Sequence, residues 1–299
     1  MNKTTNSILK KVLEEIDVPK DELIKINKNL EVFIQHIKTT IKSLNLEAEI
    51  FVGGSFARKT LIRKGDYDID LFIRFDKKHK DISGITEQLI KKSGLKEVSK
   101  IHGSRDYFRI KISENLFFEI IPVKKIKTPK EADNITDLSY SHVKYIKKKI
   151  KKEETLREIR LAKAFCYASR CYGAESYIKG FSGYSLELLI YHYKSFANFI
   201  KSMSRIKEKL IIDIEKYYKN KNTILLDLNA SKVKSPIILV DPTYKTRNVL
   251  AALSDETFKR FQKYCADFLK NPSEEKFRLE KKDIKKIERQ ANKNDHEFI

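Results

Sequence analysis

The stretch Phe51 to Phe75, FVGGSFARKTLIRKGDYDIDLFIRF, constrains the fold more than any other. Its last part reads as a strand from Asp68 to Phe75, and strand side chains alternate between two faces. Asp68 and Asp70 then stand side by side on one face, in a run otherwise rich in apolar residues. Two adjacent carboxylates repel each other unless a positive group lies between them, and the usual candidates are a divalent cation or an arginine. Just upstream, Gly53 and Gly54 allow close backbone approach, and Ser55 opens a short helix. Glycine followed by the free N–H groups of a helix start suits a phosphate. Arg58, one turn on, adds charge.

A third carboxylate sits in a similar setting. In LFFEIIPV, Glu119 shares a strand face with Phe117 and Ile121. If that strand neighbours the one carrying the aspartates, Asp68, Asp70 and Glu119 converge beside the Gly-Ser turn. Such an arrangement is suited to two-metal nucleotidyl transfer, with two Mg²⁺ held by hard carboxylate oxygens and substrate phosphates.

Around this centre the sequence predicts an α+β fold. Asp21–Leu44 has helical apolar spacing, EAEIFV is a strand, and Ile82–Lys92 is a helix. EVSKI, DYFRIKI and LFFEIIPV are three further strands. Beyond about Tyr140 the periods become helical. TLREIRLAKAFCYASRCYG reads as a helix stopping at Gly173, and SGYSLELLIYHYKSFANFIKSM as one apolar helix capped by Ser182 or Ser185. PIILVDPTYKTRN is a strand and turn, and SDETFKRFQKYCADFLKNP a helix capped by Ser254. The expected division is a catalytic domain over 1–138, a mainly helical domain over 139–275, and a basic segment over 276–299. Glu187 and His192, in LELLIYHY, read as core packing with no functional role.

Lys and Arg number 62 against 41 Asp and Glu, a formal charge of +21, which favours a polyanionic partner such as nucleic acid. The cysteines Cys166, Cys171 and Cys265 have no metal-ligand spacing, and their small odd number suits a reducing cytoplasm. No apolar run is long enough to span a membrane, so no membrane partner is expected.

The motif GGSFARKT…GDYDIDLFIRF resembles the signature of the DNA polymerase β-like nucleotidyltransferases. RLAKAFCYASRCYGAE, GFSGYSLELLIYHYKSF and VDPTYKTRNVLAALS are similar, in order, to the archaeal-type (class I) CCA-adding enzymes. This resemblance covers roughly residues 20–275. It implies addition or repair of the 3′-terminal CCA of tRNA from CTP and ATP, without a template. It also implies that Gly54, Ser55 and Arg58 meet the nucleotide's phosphates, while Asp68, Asp70 and Glu119 hold the metals. His142 would lie near the triphosphate, Lys163 and Tyr172 would bind triphosphate and sugar, and Arg247 would help read the base. Glu119 departs from the family, which normally has Asp there. Another member of the superfamily, a poly(A) polymerase or an oligonucleotide synthase, is an alternative; so is a non-catalytic tRNA-binding subunit. The family's C-terminal tail, which grips the far part of the tRNA, is expected to be absent. A separate polypeptide supplying that tail, or a homodimer, is then an open alternative, with grip on the 3′ end and acceptor stem left to this chain.

Overall fold

A computed structural model describes residues 3–278, so the expected basic segment lies outside the described residues from 279 onward. The chain begins with α1 (Lys3–Ile16) and α2 (Lys20–Ser43). It continues through β1 (Ala48–Val52), the single turn α3 (Gly54–Ala57), β2 (Tyr67–Phe75) and α4 (Ile82–Ser93). Three strands, β3 (Val98–Ile101), β4 (Tyr107–Ser113) and β5 (Leu116–Lys124), complete a five-stranded sheet of order β1-β2-β5-β4-β3. Within this sheet only β2 and β5 pair in parallel.

The helical spacing of α2 places Ile26, Leu30, Phe33, Ile37 and Ile41 on one face, and they cover Ile69, Leu71, Ile73, Phe118 and Ile120 of the sheet. Each such side chain taken out of water contributes roughly 1.5–3 kcal/mol. The second helix on this face, α4, starts at Asp81, whose carboxylate accepts from Gly84 N at 2.8 Å. It stops at Gly94, in the left-handed region at φ 70°. With one face covered, the opposite face is left for the carboxylates. Past β5, buried Asp137 accepts from the backbone N–H groups of Lys124, Asp133 and Asn134 and pairs with Arg105. These bonds fix the turn into the second half.

That half contains α5 (Ser139–Lys149), α6 (Glu153–Ala168), α7 (Gly183–Tyr193), α8 (Phe196–Met203) and β6 (Leu210–Ile212). α9 (Lys221–Asp227), β7 (Ile237–Asp241), β8 (Tyr244–Asn248) and α10 (Asp255–Lys270) follow. Phe165 is the hub of its core, ringed by Phe196, Phe261, Phe268 and Phe277. Helix α1 packs here through Val12 and Ile16, across the expected division at residue 138. Ser182 and Ser254 cap α7 and α10 as expected. No helix among the described residues is long and apolar enough to cross a membrane.

Three expectations need correction. α6 ends at Ala168, not at Gly173, because Arg170 turns into the left-handed region at φ 56°. The predicted single helix after Ser182 is two. Lys194, at φ 70°, ends α7, and the Ser195 side chain caps α8 by accepting from Asn198 N at 3.1 Å. The PIILVDPTYKTRN segment forms two strands, and with β6 makes a second sheet of order β6-β7-β8.

Candidate active site

Ile69, Leu71 and Ile73 point into the core with no exposure, so Asp68 and Asp70 occupy the other face of β2. The β2–β5 register places Asp70 opposite Glu119. Burial pushes the Asp70 carboxyl up, and the charge of Asp68 adds to this against the pull of Arg58. Glu119 is pushed up to about 7, by burial first and then by Asp70 and Asp68. Three hard oxygen donors that burden one another in this way fit a divalent cation. Among the described residues no three His, Cys, Asp or Glu side chains close into a finished cage. Cations of the chain itself stand there: Arg109 Nη2 donates to Asp68 Oδ1 at 3.0 Å, and Lys64 Nζ to Asp68 Oδ2 at 3.4 Å.

The glycine turn lies directly over this group. Gly53 N donates to Asp70 O at 2.8 Å. Gly54 has φ 56°, and a Cβ there would fall 1.5 Å from Asp70 Oδ2. Only glycine lets the loop come this close. Ser55 follows, half-buried, and its carbonyl accepts from Thr60 N at 2.9 Å.

Beneath the loop lies a buried ionic group. Glu187 on α7 has no exposure; it meets Arg58 Nε at 2.7 Å and accepts from Thr60 Oγ1 at 2.8 Å. Lys163 on α6 donates to Thr60 O at 3.0 Å and to Thr60 Oγ1 at 2.9 Å, with Glu187 3.9 Å away. Burial works against the Arg58 charge, yet Glu187 holds its pKa above the ordinary value. Lys163 is lowered to about 8 by burial, with Glu187 opposing. Glu187 is thus no simple packing residue, which corrects the reading of LELLIYHY. The rule that singled out Glu119, a carboxylate inside an apolar run, applied to it equally. Arg160 holds α6 against the same loop, donating to Lys59 O at 3.1 Å and pairing with Asp17 at 2.7 Å.

A second cluster adjoins the first across Arg58, whose charge acts on both Asp70 and His142. Its centre is Asp241, at the end of β7, fully buried and unnoticed in the sequence because Asp-Pro after a strand reads as a turn. Asp241 accepts from His142 at 3.1 Å, Tyr184 OH at 3.1 Å, Thr243 N at 2.8 Å and Arg247 Nη1 at 2.5 Å. Burial opposes its charge, but His142 and Arg247 hold the carboxyl well below the usual carboxylate range. A carboxylate only accepts, so His142 carries its proton on Nε2. Burial lowers the His142 pKa, and its ring stacks on Tyr184 with centroids 4.0 Å apart.

Tyr172 is the expected site residue whose setting differs. It lies past the end of α6, in a bridge with Phe181, and its ring stacks on Tyr167 at 4.0 Å. Its hydroxyl nonetheless reaches the α6–α7 junction, for a Cβ on Gly183 would meet Tyr172 OH at 2.8 Å and Lys163 Nζ at 3.8 Å.

A mixed sheet with paired carboxylates on its open face, a glycine turn over them and a helical half closing the other side define a nucleotidyltransferase of the polymerase β-like type. Comparison bears this out. Residues 34–181 match the Nucleotidyltransferase domain family, and residues 157–278 match the family described as tRNA nucleotidyltransferase, second domain. The chain is 44% identical over 212 residues to the CCA-adding enzyme of Nanoarchaeum equitans, covering 70% of this chain and 52% of that protein. It is 34% identical over 298 residues to the CCA-adding enzyme of Methanocaldococcus jannaschii, covering 95% and 64%. The chain thus spans roughly half to two thirds of the length of these relatives. A solved RNA terminal uridylyl transferase, Cid1, shares the fold with a TM-score of 0.70 at 13% identity, over 93% of this chain and 98% of that one. Together the two family matches span residues 34–278, and over that span the chain is similar to the archaeal CCA-adding enzymes.

Proposed function

We propose that this chain adds or repairs the 3′-terminal CCA of tRNA, taking CMP from CTP and AMP from ATP without a template. The observation that carries the reading is the Asp70–Glu119 pairing under Gly54, with Asp68 on the same face. The names of the curated relatives supply the substrate. The 3′-oxygen of the RNA attacks the α-phosphorus of the nucleotide, the bond to the bridging oxygen breaks, and pyrophosphate leaves. Two Mg²⁺ held by Asp68, Asp70 and Glu119 would stabilise the charge of that displacement and favour ionisation of the attacking hydroxyl.

The remaining residues bind and orient. Gly54 gives the triphosphate room to approach the loop, with Ser55 beside it. Arg58 and Lys163 supply fixed positive charge for phosphate oxygens, braced by Glu187 and Thr60. Tyr172 offers a hydroxyl to the sugar. His142 lies near the triphosphate, and Arg247, steadied by Asp241, presents its planar fork to the base. The tRNA enters by its 3′ end and acceptor stem, drawn by the positive field of the chain.

The test is incubation with tRNA lacking CCA, Mg²⁺ and each nucleotide in turn. Two C followed by one A is the expected product. A homopolymer or a nucleic-acid-free oligonucleotide would assign the chain to another branch of the superfamily. No transfer, with tRNA binding retained, would make it a non-catalytic subunit.

A further inference from the structure

Asp68 and Glu119 have a counter-charge within the protein, and its placement is built. Arg109 lies on β4, directly across from Glu119 in the β4–β5 register. Its neighbours Phe108 and Ile110 point into the core, so Arg109 faces the carboxylates. The guanidinium reaches Asp68 Oδ1 at 3.0 Å, Glu119 Oε1 at 3.9 Å and Asp66 Oδ2 at 3.8 Å. Its central carbon lies 3.6 Å from the centroid of the Phe117 ring, on the strand between them. A guanidinium over an aromatic face is attracted to it while it stays free to slide across it. Asp68 therefore has one oxygen taken by Arg109 and the other by Lys64.

We propose that Arg109 is a resident cation that competes with divalent metal for Asp68 and Glu119. In the metal-free protein its single charge offsets part of the repulsion between the two carboxylates. When metal arrives, the guanidinium slides over Phe117 towards Asp66, whose side chain is more than half exposed. Metal binding is thus weakened in the free protein and recovers where the phosphates of a bound nucleotide add ligands. This rests on the metal-binding reading of Asp68, Asp70 and Glu119 given above.

The test is binding of Mn²⁺ alone to the full chain, read by electron paramagnetic resonance without nucleotide or RNA. An opposite charge within hydrogen-bond reach moves ionic equilibria by one to three decades, so Arg109→Gln is expected to lower the Mn²⁺ Kd about tenfold. Arg109→Lys keeps one charge but cannot span both carboxylates, and its Kd should fall between the two. Circular dichroism checks the fold of each, and if Arg109→Gln does not fold, Arg109→Lys against the parent decides alone. Lys111→Gln, on the same strand and paired with Glu97 at 3.8 Å, should leave the Kd unchanged. A parent that binds Mn²⁺ as tightly as the Arg109 variants, or tighter, overturns the competition and leaves the metal reading intact. Absence of Mn²⁺ binding in parent and variants alike overturns the metal reading itself, and the competition with it.

Discussion

At Gly54 one hydrogen atom separates the loop from Asp70. Gly54→Ala forces a methyl into Asp70 Oδ2 at a left-handed φ, which costs about 1–2 kcal/mol before the carboxylate moves at all. The expected outcome is a modest loss of stability in urea with nucleotide transfer reduced by about a hundredfold or more, measured on tRNA ending in CC with ATP. A variant with near-normal rate would show that the loop can lift without harm. Lys163 gives a pH dependence. Its pKa, lowered to about 8 mainly by burial, means that it is charged below that pH and neutral above it. Nucleotide affinity should therefore weaken as pH rises through about 8, and Lys163→Arg should flatten the profile. Glu187 holds that pKa up, so Glu187→Gln should move the midpoint to lower pH. A profile unmoved by either substitution would detach Lys163 from the triphosphate. Asp68, Asp70 and Glu119 were legible from residues alone, because period-2 alternation makes a charge in an apolar strand conspicuous. Glu187 carried the same signal, a carboxylate inside the apolar run LELLIYHY, but a mostly buried helix has no polar face to say where it points; Asp241 was hidden because its sequence neighbours imitate a turn.

Among the elements, strands and caps were easier to find than helix ends. The five strands of the first sheet match the sequence to within a residue or two, and the Ser182 and Ser254 caps hold. The ends of α6 and α7 had no glycine or proline at the break. Arg170 and Lys194 take up the left-handed turn instead, so only tertiary contact decides where those helices stop. This bears on Tyr172. The chain after α6 is pinned by Phe181 N donating to Cys171 O at 2.8 Å and Gly180 N to Gly173 O at 2.7 Å. A Cβ on Gly180 would lie 2.1 Å from Cys171 O. Gly180→Ala should therefore open the Tyr172–Phe181 bridge and swing Tyr172 away, weakening nucleotide binding severalfold. Far-ultraviolet circular dichroism should show α6 unchanged. Unaltered nucleotide affinity would mean that Tyr172 has no part in binding.

On the scale of the whole molecule, two cores share one site, and α1 belongs to the second of them. Val12 is almost wholly enclosed there. Val12→Asp buries an unpaired charge, so amides of α6 and α10 should lose hydrogen-exchange protection while those of β2 and β5 keep theirs. Equal loss in both would show a single cooperative unit. Salt bridges from Glu15 to Arg278 at 2.6 Å and from Lys11 to Glu274 at 3.3 Å close the same helix onto the far end of the described chain. On the ribosome this arrangement imposes a wait. The apolar stripe of α1 emerges before the sheet, but its partners on α6 come after the whole first core, and Phe277 comes last. At about 5–20 residues per second, that leaves the stripe uncovered for roughly ten to fifty seconds in each round of synthesis. During that interval the nascent chain carries a sticky helix that a chaperone, or a neighbouring nascent chain, can reach before its own core does.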